Sequence, residues 1–196
     1  MTKIVGFGHY SRTGKDTTAD ALISALRSRG IVAQKRSFAS PLKAVAQTLY
    51  GHLGLESEAF YNKKENEHLR GVKLPKINKT PVEIWVDLGT KAVREQVYDN
   101  TWIDLGLIVN ETGVDVIIFP DVRFENEIVA LREENAYLVK VVRPGVSPKD
   151  TVADQALVGY EGWDEIIGES GQILDLVGWA EHYAAVIHSQ INEESA

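Results

Sequence analysis

"GFGHYSRTGKDTTADAL" (Gly6–Leu22) decides how this chain is read. A short apolar run, "KIVGFG" (Lys3–Gly8), ends at glycine, as a buried strand would. Gly14-Lys15 follows, and Ala19, Leu22, Ile23 and Leu26 then recur with helical spacing until Gly30 closes the segment. Strand, turn, Gly-Lys and amphipathic helix in that order is the layout of a loop that cradles phosphate. The spacing departs from G-x-x-x-x-G-K-[ST] twice. Counting back from Gly14 puts the first glycine at His9, with Gly8 one residue earlier, and Asp16 stands where Ser or Thr is usual, with Thr17 behind it. A phosphate needs exposed backbone N–H groups, a helix N-terminus and an ammonium group, and a loop one residue longer keeps all three. The rival dinucleotide pattern G-x-G-x-x-G would need glycine at Ser11.

The bulk of the chain fits this reading. Its 196 residues favour one domain, with a mobile lobe at about 51–79, and are ample for a core. No apolar run nears the ~20 residues that span a membrane. "MTKIVGFGH" lacks a signal-peptide layout, so a cytoplasmic place is expected. There are no cysteines, which excludes disulfides and thiolate metal sites, and the five histidines show no ligand spacing. The net charge is −7, but residues 150–196 hold ten acids and no Lys or Arg, leaving 18 acids against 21 bases, or +3, in the first 149. A basic body suits a small anionic ligand. The acidic tail speaks against a nonspecific nucleic-acid binder, although it also reads as plain solvated surface.

Further along, "IVAQKRSFA" (Ile31–Ala39) predicts a second strand. Ser40-Pro41 predicts a helix start, with Ser as cap, running to about Tyr50. Residues 51–79 are polar and lysine-rich and predict loops and short helices. Thr80-Pro81 opens another helix, and "TWIDLGLIVNETG" predicts one ending at Gly113. "VDVIIFPD" (Val114–Asp121) and "YLVKVVRP" predict strands buried on both faces, with the helix "RFENEIVALREENA" between them. "WDEII" predicts an edge strand and "ILDLVGWAEHYAAVIHSQI" a closing helix. Strands alternating with helices imply a three-layer α/β/α arrangement on a mostly parallel sheet. Ligands of such sheets bind at the strands' carboxyl ends, where Gly14-Lys15 and Asp121 fall.

"GKDTTAD" (Gly14–Asp20), "FASPLK" (Phe38–Lys43), "LGTKAVRE" (Leu88–Glu95) with Trp102, and "DVRFENE" (Asp121–Glu127) occur in that order. Together they resemble the deoxynucleoside monophosphate kinases of bacteriophages, over roughly residues 3 to 143. The resemblance implies a P-loop NTP hydrolase-like fold with a small helical acceptor and lid region. It implies transfer of the γ-phosphoryl of ATP to a deoxynucleoside monophosphate, with Mg²⁺, no nucleic-acid polymer and no membrane as partners, and a homodimer. If the chain is phage-encoded, its place would be the host cytoplasm. Three features depart from the family pattern: Ser40 where Asp is frequent, Val82 where a basic residue often follows Thr-Pro, and "DTVADQALVGYEG" in place of a His/Ser/Glu-containing segment. No Arg or Lys follows Lys149, so no lid arginine comes from the tail.

Phosphoryl transfer asks a protein to position two anions and neutralise developing charge. The expected contacts of ATP's phosphates are Gly8, Ser11, Arg12, Thr13, Gly14, Lys15, Asp16 and Thr17, with Lys15, Arg12 and Arg123 as the catalytic candidates. For the acceptor the candidates are Phe38, Ser40, Lys43, Arg70, Trp85, Arg94, Asp121 and Arg123, and Arg143 is a donor-side candidate. Tyr61 and Phe124 join Phe38 and Trp85 as stacking candidates, though aromatics mostly serve packing. Asp16, Thr17 and Asp121 are the candidate Mg²⁺ contacts, directly or through water. Plainer readings stand beside these. Arg123 would pair with Glu127, Arg94 with a surface neighbour, Asp121 would cap the next helix, and Arg70 with the lysines around it would be a solvated face. Three rival functions remain: a P-loop kinase of another small molecule, a non-catalytic nucleotide-binding module, and, least favoured, a nicotinamide-dependent dehydrogenase.

Overall fold

The computed structural model describes residues 2–108 and 113–194. In chain order the elements are β1 (Lys3–Gly8), α1 (Lys15–Arg27), β2 (Ala33–Lys35), α2 (Ala39–Tyr50), α3 (Glu58–Tyr61), α4 (Pro81–Val86) and α5 (Thr101–Leu107). There follow β3 (Val116–Val122), α6 (Glu125–Glu133), β4 (Tyr137–Val141), α7 (Val152–Gln155), β5 (Glu165–Ile167) and α8 (Ile173–Glu194). The chain divides into two compact units, 1–36 with 110–196, and 37–109.

The first unit is built on one sheet of strand order β2-β3-β1-β4-β5, with every neighbouring pair parallel. Side chains alternate across the strands, so each strand serves two faces. Val5, Phe7, Val116, Ile118, Val139 and Val141 bury one face against Leu22 and Leu26 of α1 and Ala180, Ala184 and Ile187 of α8. Each fully buried Val, Leu, Ile or Phe side chain contributes about 1.5–3 kcal/mol before chain entropy is charged against it. The other face is covered by α6: a Cβ on Gly6 would stand 2.7 Å from Leu138 and 3.1 Å from Leu131. Helices on both sides of a parallel sheet are the three-layer α/β/α arrangement of P-loop kinase-like proteins, as the alternation of strands and helices predicts.

The strand order places the site. From β1 the chain crosses to β2, and from β3 it crosses to the other side of β1, to reach β4. Connections leaving β1 and β3 in opposite directions open a crevice at the carboxyl ends of those two strands. The loop 9–14 leaves one of them and Arg123 the other.

The second unit has a core of Ala46, Leu55, Tyr61 and Ile84. The segment 51–79 lies in it as two single 3-10 turns, α3 and a bridge between Leu74 and Lys79. Thr80 starts α4 as expected: its hydroxyl accepts from Glu83 N at 3.1 Å, and the Glu83 carboxylate accepts from Thr80 N at 2.7 Å. The helix then widens to π geometry over Asp87–Arg94. Here the indole of Trp102 donates to Gly89 O at 3.0 Å, and Leu42 fills the space a Gly89 side chain would take. A donor inserted at a helix carbonyl displaces the regular ladder.

Three expectations are corrected. The second strand is only Ala33–Lys35, because Ser37 already turns the chain, its hydroxyl accepting from Ala39 N at 3.1 Å. The next helix therefore starts before Ser40, which is not its cap; the Ser40 hydroxyl bonds Glu58 instead. The helix from Thr101 ends at Leu107, and its expected continuation through 109–112 lies outside the described residues. Among the described residues, no helix is long and apolar enough to cross a membrane.

Candidate functional site

The loop between β1 and α1 is shaped by backbone conformations few residues adopt. His9 has φ +107°, Arg12 +67° and Gly14 +109°. Left-handed residues in a turn are one way a loop gathers successive N–H groups into an anion-binding concavity. His9 occupies the position where the phosphate-loop pattern puts its first glycine, and it has the conformation glycine would supply. Holding histidine there costs about 1–3 kcal/mol. Gly8 also makes room for a neighbouring ring. It is the last residue of β1, paired with Val122 and Lys140, and a Cβ on it would lie 2.1 Å from the ring of Trp163.

Lys15 opens α1 and is 5% exposed. Its ammonium folds back over the loop, donating to His9 O at 3.0 Å and to Tyr10 O. Burial, and next the charge of Arg123, push its pKa down to about 8, against the pull of Asp16, Asp154 and Asp121. Thr13 is buried and donates to Tyr10 O at 3.1 Å; Thr18 donates to Gly14 O at 3.0 Å. The His9 ring stacks on Tyr10 with centroids 3.6 Å apart. Burial, then Lys140, lower its pKa to about 4, so it is neutral at physiological pH.

Arg123 follows β3. Its backbone N–H, not its guanidinium, goes to Glu127, at 2.7 Å. Glu127 also accepts from Phe124 N at 3.1 Å and so caps α6, the role open to Asp121 from the sequence. The guanidinium turns to the loop: Nη1 donates to Asp154 Oδ1 at 2.6 Å and lies 3.4 Å from Ser11 Oγ. Asp154 Oδ1 also accepts from Ser11 N at 3.1 Å and Ser11 Oγ at 2.8 Å, while Oδ2 accepts from Lys149 N at 3.1 Å. Burial works to raise the Asp154 pKa, but these donors outweigh it and hold the carboxylate below its usual range. Sequence reasoning did not single out Asp154 within the acidic tail. Thr151-x-x-Asp154 carries the signature of a short helix start, and the Thr151 hydroxyl does accept from Asp154 N at 3.3 Å. Nothing local says that the carboxylate faces the loop.

The remaining candidates of this unit divide. Thr13, Gly14 and Thr17 line a cavity of about 70 Å³ with Arg143, Gly168 and Gln172, which brings Arg143 to the start of α1. Asp121 is the last residue but one of β3, half-buried and within electrostatic reach of Lys15. Arg12 is exposed. Asp16 is exposed on the first turn of α1, 3.8 Å from Lys35, whose closer partner is Asp20 at 2.6 Å. Among the described residues, no group of three acidic or histidine side chains forms a metal site by itself. The donors present suit a hard cation that keeps waters and takes phosphate oxygens, with one or two ligands from the protein.

In the second unit, Ser40, Lys43, Arg70 and Trp85 do cluster. Lys43 donates to Glu58 at 2.7 Å and sits 5.5 Å from the Trp85 ring centroid, and Trp85 meets Tyr61 edge-on at 5.5 Å. Burial opposes ionisation of Glu58, but Lys43 and then Ser40 prevail and lower its pKa. Arg70 donates to Tyr61 O at 3.0 Å and Asn62 Oδ1 at 2.6 Å. Arg70 Nε and Trp85 Nε1 are buried with no hydrogen-bond partner among the described residues. Glu58, the hub of this cluster, was not singled out from the sequence. Phe38 and Tyr61 are core residues, Phe38 fitting over Gly106, while Phe124 is half-buried where α6 begins. Arg94 pairs with Asp99 at 2.7 Å, a neighbour five residues on.

No protein-family model matches the chain. Over 162 residues it is 28% identical to a protein of Acanthamoeba polyphaga mimivirus named "Putative deoxynucleotide monophosphate kinase". The match covers 76% of this chain and 78% of the viral protein, so the chain is a distant relative of a protein named as a nucleotide kinase.

Proposed function

We propose that the protein is an ATP-dependent deoxynucleoside monophosphate kinase. One observation carries the reading: a buried lysine at a helix N-terminus, folded over a left-handed loop, with an arginine beside the same loop. That is the apparatus of a phosphoryl-transfer site, in which catalysis is positioning and charge neutralisation. The name of the viral relative supports the acceptor class.

In this reading the loop N–H groups and Lys15 hold the donor's phosphates, a phosphate replacing the two carbonyls the ammonium now bonds and favouring its charged form further. Arg123 spans donor and acceptor phosphate oxygens and neutralises charge at the transferring group, with Arg12 joining from the loop. Thr17 and Arg143 flank the donor nucleotide at the cavity beside α1. Asp16, Thr17 and Asp121 are the residues that would hold Mg²⁺, which supplies charge neutralisation at the phosphates. The cluster of Ser40, Lys43, Arg70 and Trp85, with Glu58, takes the acceptor: its two unpartnered donors call for ligand oxygens or ring nitrogens.

A coupled ADP-release assay tests this, with ATP and Mg²⁺ and each of dAMP, dGMP, dCMP, dTMP and their ribo forms. Turnover with at least one deoxy form is expected. ATP binding with silence across the panel would reassign the protein to another acceptor or to a binding module.

A further inference from the structure

Asp154, from the acidic tail, accepts four hydrogen bonds from Ser11, Arg123 and Lys149. Its side chain is 1% exposed. One oxygen takes the backbone and hydroxyl of Ser11 and the guanidinium of Arg123; the other takes Lys149 N. Three segments distant in sequence therefore meet on one buried group: the loop, the end of β3 and the chain after β4. The groups it bonds are the loop and the arginine argued above to meet phosphate. Only Nη1 of Arg123 faces it, which leaves nitrogens on the rest of the fork for an anion.

We propose that Asp154 is the positioning residue of the phosphate site. Its carboxylate locks the loop at Ser11 to the guanidinium of Arg123, so that loop and arginine meet a phosphate as one preformed unit. The proposal rests on the phosphate-loop reading above. It differs from a purely structural role, in which loop and arginine would be served independently. It differs also from a plug, in which the carboxylate competes with phosphate for the same donors.

The experiment uses the full chain and four variants: Asp154→Asn, Asp154→Glu, Arg123→Lys and Asp154→Asn with Arg123→Lys. ATP binding by calorimetry is read alongside kcat, acceptor KM and thermal melting. Asp154→Asn keeps the shape and removes the charge. It should weaken ATP binding and lower kcat by about 10- to 100-fold, the scale of charge-assisted hydrogen bonds. Acceptor KM should rise as well, since the same guanidinium is read as meeting the acceptor's phosphate. Asp154→Glu should recover part of kcat. The double variant should be no slower than Arg123→Lys alone, because both changes break one arrangement. Multiplying effects, or an unchanged kcat, would overturn the proposal; tighter ATP binding by Asp154→Asn would overturn it in favour of the plug.

If Asp154→Asn melts below assay temperature, Ser11→Ala removes one bond to Oδ1 at a half-buried residue. An approximately fivefold loss of ATP affinity is then expected from a single hydrogen bond, and unchanged affinity would overturn the proposal. ATP binding needs no acceptor. A wild-type chain that binds ATP and turns over no deoxynucleotide therefore sinks the kinase reading, while Asp154 is still judged on affinity alone. A wild-type chain that does not bind ATP sinks both.

Discussion

Gly8→Ala should destabilise the protein through one tryptophan. The added Cβ would stand 2.1 Å from Trp163 Cη2 and 2.6 Å from Cζ3. Ordinary carbon contact begins near 3.5 Å, so the ring must retreat by about 1.4 Å. It is poorly placed to do so: its indole N–H donates to Tyr160 O at 3.0 Å and its ring meets Tyr160 edge-on at 5.2 Å. The next residue, Asp164, is pinned by Leu138 N and Arg132, each at 2.6 Å. Overpacking costs about 1–3 kcal/mol, and loss of the indole hydrogen bond adds about 1 kcal/mol, for a total near 2–4 kcal/mol. Trp163→Leu removes the clash. In a urea-denaturation cycle of Gly8→Ala, Trp163→Leu and the pair, the second change should rescue the first by at least about 1.5 kcal/mol. Additivity within about 0.5 kcal/mol would refute the reasoning. The same proteins also separate two roles for Gly8. If it makes room for Trp163, the double variant binds ATP as well as Trp163→Leu alone; if Gly8 lets phosphate approach, the double variant loses ATP.

Lys15 makes stability depend on pH. Its pKa is about 8 in the folded protein against 10.5 ordinarily, so between those values the unfolded chain holds the extra proton and stability rises with pH, by about 3 kcal/mol in all. Urea midpoints at pH 7.5 and 9.5 should show part of this rise in the wild type and lose it in Lys15→Met; parallel pH profiles would contradict it. Gly14→Ala forces a side chain into φ +109° and within 2.9 Å of Leu176 Cδ1, and should cost about 1–2 kcal/mol while abolishing triphosphate binding. Wild-type melting and affinity in that variant would exclude the loop geometry. Glu127→Ala frees two N–H groups at the start of α6 and should cost about 1–2 kcal/mol in thermal melts, with ATP affinity changed far less than by Asp154→Asn.

The sheet was legible because its strands are short apolar runs ended by Gly, Pro or Asp, and α1 because its apolar residues keep a strict helical period. The strand, turn and helix around the loop were legible from the apolar pattern, but the loop's backbone was not. Counting glycines suggested an extra residue, and the backbone at His9 shows histidine in a glycine conformation, which no pattern announces. Ser40-Pro41 misled because Ser37 had already begun the turn. Arg123 was singled out by type and position as a phosphate contact; the plainer reading paired its side chain with Glu127, whereas its guanidinium meets Asp154, 31 residues away. Asp154 and Glu58 were illegible for a shared reason: each acts through what tertiary structure brings to it. A carboxylate that ends up bonded from several sides looks, in one dimension, like any surface acid.

The most direct test of the account is transfer of labelled γ-phosphate from ATP to a deoxynucleoside monophosphate by the wild-type chain, with Lys15→Ala in parallel. The account predicts labelled deoxynucleoside diphosphate from the wild type and loss of most of that product from a folded Lys15→Ala. Labelled product at wild-type rate from Lys15→Ala, or none from a wild-type chain that binds ATP, would contradict it.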